Sequence, residues 1–280
     1  EENILVSLKK GDKKIIKRNN KLYKKFSDHI GKIPLVLISP DDRNLIIEGS
    51  ETRRKFIDGI ISQTDKEYLN NLIDYNKTLK QRNALLKMFY DNSESIRKTI
   101  DIYDRQLSSD AQKIYDKRRE FLNEFIPIFK SRYKELSNDK ENVEIKHSSD
   151  ISPDQNLYKL LKNSLEKDLR FQYTTKGIHK DDLNLSLDNF PIKKYGSQGQ
   201  QKTFFIAMKL AQFDYLSKLD SKPILLLDDI FDKLDDTRVK QIINLVNQEK
   251  FNQIFISDTN KTRSENIIKK VNKSYKIFEI

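Results

Sequence analysis

Residues 223–235 read PILLLDDIFDKLD, and the fold is read outward from them. The apolar run 224–227 suits a strand buried on both faces. It closes on two carboxylates, Asp228 and Asp229, at the end where parallel sheets place their ligands. A buried strand followed by an acidic turn is the plain alternative. The further Asp232, with Leu234 and Asp235 behind it, favours a functional edge with the form of a Walker B strand. In that form Asp228 holds Mg2+ through water, and Asp229 orients the attacking water or accepts its proton.

About thirty residues upstream stands YGSQGQQKT, 195–203, at the start of a helix predicted over 200–219. Two of the chain's seven glycines fall in this short stretch. They ask the backbone to turn tightly and to expose amides at a helix N-terminus, which makes an anion site. It is not a P-loop: G-x-x-x-x-G-K-[ST] needs Gly where Gln201 stands, and no strand directly precedes it. Strands are predicted at 183–187, 223–229, 252–257 and 275–280, with helices at 200–219, 237–249 and 263–271. That alternation indicates an α/β layer with parallel strands.

Further out, residues 1–50 read as short strands at 4–8, 14–17, 34–39 and 45–47. From about Thr52 to Arg170 the period becomes helical. Leu69, Leu72, Leu79, Leu86 and Phe89 share one face. Ile96, Ile100, Tyr103, Leu107, Ala111, Ile114, Phe121, Phe125 and Ile128 continue it at spacings of three and four. Two long antiparallel helices are expected, broken at Asp91, Asn92 and Ser93 and kinked near the end by Pro127. The charges between the apolar positions favour a protruding coiled-coil arm over plain core packing. A connector over 138–156, with a short strand at 143–146, and a helix over 155–171 lead back to the α/β block.

The chain has 280 residues, 36% apolar and 34% charged, with 15 Phe and 12 Tyr, enough bulky apolar side chains for a core; wholesale disorder is excluded. It holds no Cys and three scattered His, so disulfides, thiolate zinc sites and thiol nucleophiles are excluded and any metal must be bound by oxygen. No apolar run approaches the roughly 18–20 residues of a membrane span, and a cytoplasmic location is expected. The net charge of +11 favours a polyanionic partner. The densest basic clusters are Lys9, Lys10, Lys13, Lys14, Lys17 and Arg18, then Arg53, Arg54 and Lys55. These are the candidate phosphate contacts, with a solvated charged face as the plain reading of each.

Five blocks in order, SPDDRNLIIEGSETRRKFID at 39–58, TLKQRNALL at 78–86, TTKGIHKDDL at 174–183, YGSQGQQKTFFIAMKLAQF at 195–213 and ILLLDDIFDKLDDTRV at 224–239, resemble the ABC-type ATPase heads of the SMC, Rad50 and RecF group. The resemblance runs nearly end to end and is closest to the RecF family, bacterial mediators that load recombinase at DNA gaps. It implies an α/β ABC-type head, a sheet with parallel strands and flanking helices, with an inserted helical coiled-coil arm. Residues 1–50 would be the remainder of the N-terminal β-rich part of the ATPase lobe, 51–172 the arm, and 173–280 the C-terminal part of that lobe.

The resemblance also implies roles. Ser197, Gln198, Gly199 and Gln200 match the signature motif, offered across a dimer to the γ-phosphate of ATP on the partner subunit. Asp228 matches the magnesium ligand and Asp229 the hydrolytic carboxylate, where many relatives have Glu. Leu234 and Asp235 match the D-loop, which crosses the dimer interface. Asp258 and Thr259 stand near the switch position and take no role, since the His found in many ABC proteins is absent. The family's Walker A loop lies before the first matched block, so the chain as given is expected to hold half a nucleotide site. ATP and Mg2+ are the implied cofactors. Duplex or gapped DNA, an ATP-dependent homodimer and a RecR-type mediator are the implied partners. The alternatives are a non-catalytic DNA-binding or interaction module and another SMC-like ATPase head.

Overall fold

The computed structural model describes residues 2–12, 14–88, 94–139, 141–152, 155–219, 222–229, 239–242, 244, 253–259, 265–266, 269 and 274–278. The apolar run forms strand β8 (Ile224–Asp228), the middle of a three-stranded parallel sheet between β4 (Leu35–Ile38) and β9 (Ile254–Ser257). Leu225 and Leu227 are buried, while Ile224 and Leu226 are half-buried, so the burial expected on both faces is complete on one. On β4, Val36 and Ile38 point into the same core, and Leu35 and Leu37 stay about 40% exposed.

Helix α7 (Gln198–Leu216) covers the buried face. Residues 203–208 and 210–213 of it are all buried, so the helix is enclosed on every side, as its apolar composition requires. One side packs on β4; the other meets the longest helix of the molecule, described next.

The helical block divides into α2 (Ser50–Thr64), α3 (Lys66–Lys87), α4 (Glu94–Ser137) and α5 (Leu157–Phe171). The first expected helix is two, because Asp65 takes an extended backbone, ends α2, and caps α3 by accepting from the Tyr68 N–H. Helices α3 and α4 are antiparallel. Arg82 meets Asp104 and Tyr68 meets Arg118, so fourteen residues back along α3 correspond to fourteen forward along α4. The buried stripe of α4 follows the expected positions Ile100, Leu107, Ala111, Ile114, Phe121 and Phe125, and runs on through Phe129, Tyr133 and Leu136. Pro127 lies inside α4, which continues past it to Ser137. This last third packs on α7, with the Phe129 and Phe204 rings 4.8 Å apart and Arg132 paired to Asp214. The long helix is therefore continuous with the core. Phe89 and the break at 91–93 lie outside the described residues.

Among the described residues, two antiparallel sheets complete the fold: β1 (Ile4–Ser7), β2 (Ile15–Arg18) and β3 (Lys21–Leu22); and β5 (Val143–Ser148), β6 (Asp182–Leu187) and β7 (Phe190–Pro191). The strand expected at 183–187 within the parallel layer is thus β6, which pairs antiparallel with β5. Residues 45–47, expected as a strand, belong to helix α1 (Asn44–Ile47). A capping box at Ser39 and Pro40 in the first turn start a helical stretch that α1 continues. No strand forms at 274–278; within the helices expected at 237–249 and 263–271, residues 239–242, 244 and 265–266 are helical, 269 lies in a turn, and the others are outside the described residues. No helix among the described residues is long and apolar enough to cross a membrane.

Buried charge joins these layers. Arg82, fully buried, donates to Asp104 at 2.6 Å and to Asp168 and Thr174 at 2.8 Å, tying α3, α4 and α5. Arg118 on α4 donates to Asp58 of α2, Asp181, the Ile178 carbonyl and the Tyr68 hydroxyl. Beside it His179 lies 2.7 Å through Nδ1 from the Tyr75 hydroxyl and 3.0 Å through Nε2 from the Thr174 carbonyl. The carbonyl can only accept, so Nε2 carries the proton and Nδ1 accepts from Tyr75. Gly177, at φ +130°, allows this approach, since a Cβ there would stand 2.6 Å from the Tyr75 hydroxyl oxygen.

Removing the Arg82 guanidinium strands two buried carboxylates. Arg82→Leu is expected to lower unfolding stability by about 3–5 kcal/mol in urea titrations. Burial holds the His179 pKa down at about 4. The unfolded chain, near 6.5, therefore takes up this proton first, and stability falls as pH drops through that window. Between pH 7 and 4.5 the loss from this residue is expected to be about 2–3 kcal/mol. In His179→Gln, which can still donate to Thr174, that share of the acid sensitivity should vanish.

Candidate nucleotide site

Asp228 ends β8 with its side chain exposed, and Asp229 is half-buried directly after it. Their geometry is set by the neighbouring strand: the Ser257 hydroxyl donates to Asp228 Oδ1 at 2.5 Å, and the Asp229 N–H donates to the Ser257 carbonyl at 3.0 Å. Asp229 sits at φ +45°, so the chain turns sharply at the strand end. Hard carboxylate oxygens suit Mg2+, which typically takes one or two protein carboxylates and fills its shell with water and phosphate. No cluster of three or more acidic or His side chains able to hold a metal occurs among the described residues.

The other half is the start of α7. Ser197 Oγ accepts from the Gln200 N–H at 3.2 Å, and Gln200 Oε1 accepts from the Ser197 N–H at 2.8 Å, a complete capping box. Ser197 and Gln198 are exposed, and the first-turn amides of Gln198 and Gly199 precede the point where intrahelical bonding begins. An anion there meets amides, a hydroxyl and the positive end of a 19-residue helix. Gly196 is required just ahead of it: a Cβ would lie 2.7 Å from Ile192 Cγ1 and 2.8 Å from the Ile192 carbonyl oxygen.

The two halves share one end of the fold. Beyond Ile38, which pairs with Leu227, the chain turns through residues 39–43 onto α7: Arg43 donates to Gln201 Oε1 at 3.1 Å, and Asp42 pairs with Lys209 at 3.3 Å. Gln201 also donates to the Gly196 carbonyl at 3.1 Å, so the residue that breaks the P-loop pattern braces the turn instead. Glu141, before β5, accepts from Gln200 Nε2 at 2.9 Å and from the Tyr133 hydroxyl. Arg43 and Glu141 carry no local sequence signal; both reach the site through long-range contact. Leu234 and Asp235 lie outside the described residues. Asp258 and Thr259 follow β9.

The basic clusters divide. Lys9, Lys10, Lys14 and Lys17 are exposed on the β1–β2 hairpin, with Lys9 3.5 Å from Asp12; Lys13 lies outside the described residues. Arg18 is bonded to Glu2. Arg53 is buried and gives its guanidinium to Asp182 and to the Leu45 and Glu48 carbonyls, while Arg54 donates to the Asp181 carbonyl. Of the second cluster, Arg53 thus serves the fold, held by Asp182 across it, while Arg54 is half-buried. Lys55 is exposed and pairs with Glu51 at 2.7 Å.

No family model matches the chain. Among curated proteins, the DNA replication and repair protein RecF of Flavobacterium johnsoniae is 54% identical over 280 residues, covering 100% of this chain and 78% of that protein. That of Bacteroides thetaiotaomicron is 48% identical over 280 residues, covering 100% and 75%. Among solved structures, the recombination mediator protein RecF with ATP, in the RecFOR pathway, superposes with a TM-score of 0.83 at 30% identity, covering 93% of this chain and 71% of that one. Identity of this order along the whole chain, on a backbone that superposes as closely, leaves one conclusion: the chain belongs to the RecF family of DNA replication and repair proteins.

Proposed function

We propose that this protein is a RecF-like ATPase that dimerises with ATP on duplex or gapped DNA and helps load recombinase during repair and replication. The observation that carries the reading is the pairing of an exposed, capped helix start at Ser197 with a parallel strand ending in Asp228 and Asp229, in a chain 54% identical to a RecF. When bound, ATP with Mg2+ supplies the phosphoanhydride and the charge that neutralises it.

In this reading Asp228 would hold the ion through water, oriented by the Ser257 hydroxyl. Asp229 would orient the attacking water and take its proton. The Ser197 hydroxyl and the amides of Gln198 and Gly199 would meet the γ-phosphate on the partner subunit, closing the dimer. Gln200 keeps that helix start capped, and Leu234 and Asp235 would cross the same interface. Hydrolysis then removes the phosphate both subunits hold and releases the clamp. A RecR-type mediator is the partner this role requires, and the reading excludes the membrane as a partner. Lys9, Lys10, Lys13, Lys14 and Lys17 are the proposed DNA phosphate contacts, with Arg18 and Lys55 at their margins.

In the full-length protein, Asp228→Asn is expected to lower Mg2+-dependent ATP hydrolysis by about a hundredfold or more in a phosphate-release assay. Unchanged turnover would refute the assignment. Replacing Lys9, Lys10, Lys14 and Lys17 by Gln should weaken DNA binding uniformly across sequences. The slope of log K against log salt should become shallower by about one unit for each phosphate no longer neutralised. Fluorescence anisotropy over a salt series measures both.

A further inference from the structure

The geometry assigns Glu141 as a positioning residue for the start of α7, aimed by Tyr133 of α4, so that the helical block sets how residues 197–200 are presented to phosphate. This rests on the phosphate-reading role given above.

A side-chain amide has an accepting end and a donating end, and a carboxylate can only accept. Glu141 Oε1 stands 2.9 Å from one end of the Gln200 amide, which must therefore be the NH2. The carbonyl end is thereby turned to the Ser197 N–H, which it meets at 2.8 Å. Ser197 in turn places its Oγ on the Gln200 N–H. The carboxylate and the Ser197 N–H thus demand the same orientation of the amide, and the capping box is held from both ends. Without the carboxylate the Gln200 NH2 turns to water, the Ser197 N–H alone holds the amide carbonyl, and the reciprocal bond that fixes the Ser197 backbone is weakened.

Glu141 is itself held from two sides. Its other oxygen accepts from the Tyr133 hydroxyl. Its neighbour Asn142 exchanges two bonds with Asp188: N–H to Oδ1 at 2.9 Å, and Asp188 N–H to the Asn142 carbonyl at 2.7 Å. Tyr133 is fully buried, with its ring 5.8 Å from Phe204 of α7 and 6.2 Å from Phe129. Packed cores pass small helix shifts as discrete rearrangements, so a displacement of α4 along α7 carries the Tyr133 hydroxyl, Glu141 and the Gln200 amide with it.

The test is a double-mutant cycle in the full-length protein with two readouts, ATP-dependent dimerisation by sedimentation and binding of a fluorescent ATP analogue to the monomer. Glu141→Ala should weaken dimerisation by about tenfold in the native background and add nothing to Gln200→Ala. Monomer affinity for the analogue should stay within about twofold of native, because the motif acts on the partner's nucleotide. Glu141→Gln, whose carbonyl still accepts from Gln200, should recover to within about threefold of native. Tyr133→Phe should give a smaller loss that likewise vanishes with Gln200→Ala, and it carries the test if Glu141→Ala folds poorly.

Losses from Glu141→Ala or Tyr133→Phe that add to that of Gln200→Ala overturn the proposal and leave the phosphate-reading role standing. Native dimerisation in Glu141→Ala, with a loss in Gln200→Ala, does the same. Native dimerisation in both Ser197→Ala and Gln200→Ala overturns the phosphate-reading role itself, and this proposal with it.

Discussion

The buried guanidinium of Arg118 is the joint on which the arrangement of the other parts depends. It sits on α4 and reaches α2 through Asp58, α3 through the Tyr68 hydroxyl, and the turn ahead of β6 through Asp181 and the Ile178 carbonyl. Burial works against its charge. Tyr68, Asp58 and Asp181 more than offset that, so its pKa lies above the usual arginine range, while burial drives the Tyr68 hydroxyl well above the usual phenol range. Apolar packing alone lets helices slide by a fraction of a turn. A buried charge with fixed partners does not, because every wrong register leaves an ion unpaired in a medium that cannot solvate it. Arg82 repeats the device nearer the end of α3 and the start of α4, and Arg132 repeats it against α7.

Much of the fold could be read from the residues, and the failures have physical causes. The parallel strands β4, β8 and β9 announce themselves because a strand inside a sheet must be apolar where it is covered. The stripe of α4 appears because the helical repeat is local and long. Residues 45–47 misled because three apolar residues fit a strand or a helical turn equally well, and the deciding signal, Ser39 with Pro40, lies outside the run. The sheet that β6 joins was hidden because pairing is a long-range choice that alternation does not encode. Arg118 and Arg82 were hidden more deeply: in a chain with 53 basic residues, nothing local separates a buried arginine from a solvated one.

The site divides the same way. Asp228, Asp229 and residues 197–200 stand out because strand-end carboxylates and glycine-bearing helix starts have strong local signatures. Arg43, Gln201 and Glu141 do not, since each acts through a partner far along the chain. Arg53 and Arg54 show what local sequence leaves out. Adjacent basic residues read as one charged patch, but on a helix they point in different directions: Arg53 turns inward to the Asp182 carboxylate, Arg54 is half-buried with one N–H on the Asp181 carbonyl, and Lys55 stays exposed.

The left-handed backbone at Asp229 bears on which acid can stand there. A residue with positive φ pays for the crowding of its Cβ against its own carbonyl. Asp and Asn are several-fold enriched in this region because a short polar side chain can bond locally, a relief that a longer chain such as Glu has less access to. The tight exit from β8 and the short acid that stands in it therefore suit one another. The turn that keeps the strand end on Ser257 thus favours a short carboxylate at position 229 over a longer one. Lengthening that acid would act first on the shape of the turn and only then on the reach of its oxygens.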